Sequence, residues 1–141
     1  MRSQRNTLFT IAAGLVMLLL SGCDSDSDPS NLAPESISGK TYSITISAGT
    51  GGFSSTGTTT IAVSDTDDTY EITGDGVNTG NSSGTFEYAA VGNSAAITVQ
   101  DSGFGEGTFS LAFTGVGTGT YSATIVADPD SSQSGVFTEV E

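Results

Sequence analysis

The sequence contains no histidine, no tryptophan and one cysteine among its 141 residues. Without histidine, the chain can form neither a Ser-His-Asp triad nor a histidine-ligated metal centre. A single cysteine excludes a disulfide within the chain. Lys40 cannot serve a serine–lysine hydrolase, because Ile37 occupies the position three residues earlier where the serine is needed. We therefore predict that the protein is not an enzyme and has no cofactor.

Basic residues are also scarce, because three lysines and arginines face 16 acids and the net charge is −13. Arg2 and Arg5 lie at the start of the chain, and Lys40 is the only base after them. Nucleic acids and anionic lipid surfaces are bound mainly through lysine and arginine. We therefore expect no nucleic-acid partner and no attraction to a membrane surface through charge.

The start of the chain has the three parts of a cleaved secretory signal. Arg2 and Arg5 precede an apolar run over 8–20, and the small residues Ser21 and Gly22 follow it. The run is shorter than the roughly 20 residues that a membrane-spanning helix needs. We predict a signal peptide, and the alternative is an uncleaved membrane helix.

The sequence Leu20-Ser21-Gly22-Cys23 resembles the lipobox of bacterial lipoproteins. In that family the cysteine thiol carries diacylglycerol, the signal is cut before the cysteine, and the new terminal amine is usually acylated. The resemblance implies that Cys23 becomes the first residue and that acyl chains such as palmitate hold it to a membrane. It also implies a place in the cell envelope outside the cytoplasm, on the periplasmic face or the cell surface.

The rest of the chain divides into a tether and one domain. Residues 23–36 are acidic, include two prolines and have too little apolar surface to offset the entropy of ordering, so we predict a disordered tether. Residues 37–141 have a normal size for one domain. The predicted organisation is a signal peptide over 1–22, the lipidated cysteine and tether over 23–36, and a folded domain over 37–141.

The composition of residues 37–141 favours strands, since β-branched and aromatic residues are common and Leu111 is the only leucine. Apolar and polar residues alternate with the period of a strand that buries one face. The alternation recurs at 42–46, 61–63, 70–72, 86–88, 97–99, 109–113, 121–125 and around Phe137.

Short breaks rich in glycine, aspartate and asparagine separate these segments, the last of them at 128–134. Short breaks make consecutive strands antiparallel neighbours. We therefore predict an all-β domain, an up-and-down meander of about eight strands that closes into a small barrel, because closure removes exposed edges. A two-sheet sandwich is the alternative. In outline the domain is similar to the small lipocalin- and avidin-type barrels, but it lacks the lipocalin Gly-x-Trp motif, so no binding residues carry over.

A glycine stands two residues before an inward aromatic residue in four places. Glycine at the start of a strand lets the backbone bend or bulge while the aromatic side chain enters the core. The four segments are Gly84-Thr85-Phe86, Gly107-Thr108-Phe109, Gly119-Thr120-Tyr121 and Gly135-Val136-Phe137.

Acidic and aromatic residues in the predicted turns are the remaining candidates for a site. Asp65, Asp67 and Asp68 crowd one turn, but calcium needs about 6–8 oxygen ligands and this turn supplies only part of such a shell. We predict no metal and keep these three as weak candidates. Phe53 and Phe104 lie in predicted loops and are candidates for contact with a partner.

Two functions stay open. The many inward aromatic residues predict a filled interior, and therefore a membrane-anchored, non-catalytic domain with a structural or interaction role in the envelope. The alternative is a barrel with a cavity that carries a small apolar ligand. The sequence identifies no protein or ligand partner beyond the membrane that the lipid on Cys23 would enter.

Overall fold

The structure is a computed structural model that describes residues 30–141. These residues form β1 (Thr41–Gly49), β2 (Gly57–Val63), β3 (Thr69–Gly74), β4 (Ser82–Val91), β5 (Ser94–Asp101), β6 (Gly105–Gly115), β7 (Thr118–Ile125) and β8 (Asp128–Val140). Each strand pairs antiparallel with its neighbours in the chain, and β1 also pairs with β8, so the sheet closes into a barrel. The predicted eight-stranded meander barrel is confirmed, and the sandwich is excluded.

Alternation of side chains places the core inside the barrel. In β7, Tyr121, Ala123 and Ile125 are buried, while Ser122 and Thr124 between them are exposed. Successive side chains of a strand point to opposite faces. The inward-facing apolar residues of the strands therefore share one interior.

One end of the barrel is covered by the chain itself. The N-terminal strap, residues 30–40, lies across this end, which we call the closed end. Ala33 is 8 % exposed and its N–H donates to Gly92 O at 3.1 Å, and the Leu32 N–H donates to Asn93 Oδ1 at 2.8 Å. Ile37 is buried as well. The strap therefore contributes Ala33 and Ile37 to the packed core.

The strap overlaps the predicted tether over residues 30–36. Packing begins at Leu32, five residues before the predicted domain boundary at 37, because Leu32 and Ala33 join the hydrophobic core. Residues 1–29, which include the predicted signal, Cys23 and the rest of the tether, lie outside the described residues.

Four connections form the opposite end, which we call the open end. They are the loops 50–56 and 75–81, the turn 102–104 and the turn 126–127. The predicted break over 128–134 is wrong in extent, since these residues belong to β8. Gln133 and Ser134 pair with both β7 and β1, which overrides their low strand propensity, and the Thr50 N–H adds a hydrogen bond to Ser132 O at 2.8 Å. Residues 129–131 have no register partner and interrupt the pairing with β7.

The glycine-x-aromatic segments occur where the backbone of a neighbouring strand comes close. A Cβ atom added to Gly119 would lie 2.1 Å from Ala112 O, and one added to Gly135 would lie 2.1 Å from Thr45 O. Both glycines are buried on the inward face. A side chain at either position would collide with backbone, so these positions require glycine.

Replacing Gly119 by alanine should therefore destabilise the barrel. We expect a loss of about 3 kcal/mol, as in severe overpacking, and a fall in Tm of roughly 12 °C or more for a domain of this size. Thermal unfolding followed by circular dichroism measures the effect. Gly80→Ala is the matched control, because an added Cβ there meets nothing within 4 Å. Equal stability of the two variants would contradict the argument.

Candidate ligand-binding cavity

The interior of the barrel holds a cavity of about 310 Å³. It extends from the strap at the closed end to the loops at the open end. Its apolar lining consists of Ile37, Tyr42, Ile44, Ile46, Phe53, Ile61, Val63, Tyr70, Ile72, Phe86, Ile97, Val99, Phe104, Phe109, Leu111, Tyr121 and Phe137. Its polar or small lining residues are Gly52, Ser54, Thr59, Thr79, Gly80, Asn81, Ser82, Gly103 and Gln133. Known ligand pockets begin at about this volume.

The inward side chains surround the cavity but do not meet across it. Ile61, Ile72 and Ile97 line the cavity and are only half-buried, although they face the interior of the barrel. The predicted filled interior is therefore wrong, and the aromatic residues line the space without filling it.

Aromatic residues pack at the closed end of the cavity. The Phe137 ring lies edge-on to Tyr42, with 6.1 Å between ring centroids, and to Phe113, with 5.0 Å. The strap residue Ile37 lines the cavity at this end. The closed end is thus an apolar floor.

Phe53 and Phe104, the predicted loop contacts, lie side by side at the open end. Their ring centroids are 5.4 Å apart, and the Phe104 ring also lies 6.2 Å from the ring of Phe109 in the barrel wall. Both side chains are half-buried and line the cavity. The structure therefore places them at the mouth of the cavity.

A buried carboxylate sits behind the wall near the mouth. Asp101 is 7 % exposed, and its Oδ2 accepts hydrogen bonds from Tyr70 Oη at 2.6 Å and Ser82 Oγ at 3.0 Å. Its Oδ1 accepts from the backbone N–H groups of Gly103 at 2.7 Å and Phe104 at 3.4 Å. A carboxylate has about four acceptor positions. All four are in use, and together they hold the turn that carries Phe104.

The glutamine of β8 forms a second polar group at the mouth. Gln133 Oε1 accepts from Tyr121 Oη at 3.0 Å, and its Nε2 donates to Ser54 O at 3.0 Å. An amide has two N–H donors and two acceptor positions. Gln133 therefore fixes Tyr121 and the β1–β2 loop and keeps one donor and one acceptor position for a further partner.

The inward tyrosines are held neutral by burial. Desolvation raises the pKa of Tyr121 to about 12. Desolvation, with Glu139 as a second cause, raises the pKa of Tyr42 well above its usual range, and desolvation together with the bond to Asp101 does the same for Tyr70. The Tyr42 hydroxyl is buried and has no hydrogen-bond partner. Such a group costs about 1–3 kcal/mol.

The acids of the β2–β3 turn lie at the closed end, away from the cavity mouth. Asp65, Asp67 and Asp68 are exposed, and the Thr69 hydroxyl donates to Asp67 and lowers its pKa. Within residues 30–141, no group of three or more acidic, histidine or cysteine side chains is placed to hold a metal ion. The structure therefore does not bring these acids together as a ligand set.

The carboxylate of Asp75, in the β3–β4 loop, accepts hydrogen bonds from backbone N–H groups. Asp75 Oδ1 accepts hydrogen bonds from the N–H groups of Val77, Asn78 and Thr79 at 2.8–3.0 Å. These bonds, led by that of Val77, hold the pKa of Asp75 well below its usual range. Asp75 thus shapes the loop at the open end.

The sequence interpretation missed Asp101 and Gln133. The alternation of Ile97 and Val99 continues to Asp101, so an acid at an inward position was the available indication. Gln133 gave no such indication, because it falls in the break predicted over 128–134. The lipobox residues Leu20, Ser21, Gly22 and Cys23 lie outside the described residues.

The fold and the cavity define an antiparallel meander barrel whose internal cavity is lined by uncharged, mostly apolar residues. No protein-family model matches the chain, and no curated protein or solved structure gives a match to it. In the part of the chain from residue 30 onward, no helix is long and apolar enough to cross a membrane.

Proposed function

We propose that this protein is a lipid-anchored protein of the bacterial cell envelope that binds a small apolar molecule inside its barrel. The observation that carries the proposal is the cavity of about 310 Å³ with mainly aliphatic and aromatic walls. An engineered apolar cavity of about 150 Å³ binds benzene. The space here is roughly twice as large, which suits two fused rings or a chain of about ten carbons.

The lipid anchor is supported by the lipobox sequence, and the binding role by the cavity. The other hypothesis from the sequence, a structural or interaction role without a ligand, needs no internal space. The proposal includes no catalytic step. None of the side chains that line the cavity is an aspartate, glutamate, histidine, lysine or cysteine that could act as a general acid or base.

Filling the cavity should abolish binding. Ile61→Trp places an indole ring inside the cavity, whereas Ala62→Trp places the same ring on the outer face of β2. In titrations with an uncharged naphthalene dye whose emission changes on leaving water, we expect saturable binding by the wild type. Ile61→Trp should weaken it by about tenfold or more, since about 1.4 kcal/mol of lost contact suffices.

Ala62→Trp should leave the affinity within about twofold of the wild type, since it touches no cavity wall. Thermal unfolding of both variants separates loss of binding from loss of fold. Absence of saturable binding by the wild type, or equal affinities of the two folded variants, would contradict the binding role and favour the structural one.

A further inference from the structure

The cavity offers no partner for a charged ligand. None of the residues that line it is a lysine, arginine, histidine, aspartate or glutamate. Lys40, the only base in residues 30–141, is held at the closed end by an ion pair with Glu139, with 2.6 Å between Nζ and Oε1. A charge moved from water into an apolar space is strongly disfavoured unless it is paired. A ligand's ionised group would therefore stay unpaired inside the barrel.

The buried Asp101 makes the cavity less favourable for anions than for cations. Its carboxylate lies behind the wall near the mouth, where it repels a second negative charge. Its acceptor positions are filled by Tyr70, Ser82 and two backbone N–H groups, so it has little left for a ligand ammonium group. Anionic ligands are thus disfavoured twice, and cationic ligands gain no specific bond.

The surroundings of the mouth point the same way. Glu106, Asp128 and Asp130 are exposed at the open end, together with Asp75. A single-sign field of this kind lowers the local concentration of anions. An anionic amphiphile is therefore repelled before it reaches the cavity.

The mouth instead carries uncharged hydrogen-bonding groups. Gln133 keeps a donor and an acceptor position, and Asn81 and Ser82 line the same region. A hydroxyl or carbonyl group can be satisfied by such side chains without any charge. The polar groups lie at the open end and the apolar floor at the closed end, which defines how a ligand is oriented.

We infer that the ligand is an uncharged molecule whose apolar body fills the barrel and whose hydroxyl or carbonyl group lies at the mouth, and that the cavity rejects an anion with the same body. The inference rests on the proposed function and names the ligand class of that same cavity. It excludes fatty acids and other anionic amphiphiles as ligands, although their chains would fit the space.

Three probes with one apolar body test the inference: naphthalenemethanol, naphthoate and naphthylmethylammonium. We expect the wild type to bind the alcohol at least about tenfold more tightly than either ion at pH 7. Naphthoate should bind through its neutral acid, so its apparent affinity should rise about tenfold for each pH unit between 7 and 5. The affinity of the alcohol over the same range is the control.

A variant with a base in the wall should reverse the preference. Thr59 lines the cavity, whereas Thr60 is exposed on the outer face of the same strand. Thr59→Lys should raise the affinity for naphthoate, relative to the alcohol, by about tenfold or more. Thr60→Lys makes the same change in net charge and should leave that ratio within about twofold, because an exposed charge is screened.

The outcomes separate the two proposals. Equal binding of alcohol and naphthoate by the wild type at pH 7 overturns the ligand class while the binding role stands. The same conclusion follows if Thr59→Lys and Thr60→Lys give equal ratios. If no probe binds, the binding role fails and the ligand class fails with it.

Discussion

The barrel should unfold when the pH rises from 10 towards 12. Tyr42, Tyr70 and Tyr121 are each at most 8 % exposed, and burial raises the pKa of all three. A raised pKa means that the folded state favours the neutral phenol. Its stabilising effect is complete below pH 10, where an unfolded tyrosine ionises, and is lost as the pH rises further.

Each such tyrosine costs about 1.4 kcal/mol of stability per pH unit above 10. Three together remove about 4 kcal/mol per unit, a large part of the roughly 5–15 kcal/mol that stabilises a typical domain. We expect Tm to fall by roughly 15 °C or more between pH 10 and 11. Circular dichroism follows unfolding, and near-ultraviolet absorbance follows tyrosinate formation in the same sample.

Tyr42→Phe is the sharpest control, because the hydroxyl that it removes has no hydrogen-bond partner. At pH 7 the variant should be as stable as the wild type or more stable by about 1 kcal/mol. Above pH 10 its stability should fall about one third less steeply, since two buried tyrosines remain in place of three. Tyrosinate formation near pH 10 in a barrel that stays folded would contradict the argument.

The second large effect concerns the anchor. Cys23→Ser should transfer the full-length protein from the membrane fraction of cells to the soluble fraction. Each buried methylene contributes about 0.8 kcal/mol, and stable attachment needs about two acyl chains or an equivalent pair of signals. With 16 acids in the chain, all of them after Cys23, charge attraction to an anionic bilayer cannot replace the lost chains.

A double variant, Cys23→Ser with Ser27→Cys, keeps one thiol but moves it out of the lipobox. It should be as soluble as the single variant if the anchor is the lipidated lipobox cysteine. Mass spectrometry of the mature wild-type chain should find an acylated residue 23 at the N-terminus. A free thiol at that position, or retention of both variants in the membrane, would contradict the lipid anchor.

Local patterns predicted the parts of the fold that depend on local chemistry. The predicted turn that contains Asp65, Asp67 and Asp68 coincides with the β2–β3 turn. Serine and aspartate side chains bond to the backbone nearby, as Ser64 Oγ does by accepting from the N–H groups of Thr66 and Asp67. The inward positions of β7 were likewise readable from alternation.

Features that depend on distant residues were not predictable in the same way. Gln133 and Ser134 lie in a segment with the composition of a turn but pair as a strand, because β1 and β7 are in place on both sides of them. The order of the strap likewise depends on contacts of Leu32 and Ala33 with the far β4–β5 turn.

The candidate cavity shows the same limit. Alternation identified most inward side chains, yet the free volume depends on how far apart opposite walls stand. Glycines such as Gly119 and Gly135 were recognised as points of bending. Their close approach to the carbonyl oxygens of the neighbouring strands follows from the pairing of those strands and not from the period of the pattern. Asp101 and Gln133 gained a role only when their partners from other strands were placed.

Because the number of antiparallel strands is even, the first strand begins and the last strand ends at the same end of the barrel. Thr41 pairs with Val140, so the chain enters and leaves on the side that the strap covers. An attachment through residue 30 therefore holds the barrel at its closed end, and the open end faces away from the point of attachment. A reporter fused after Glu141 would lie beside the closed end and leave the open end accessible to small molecules.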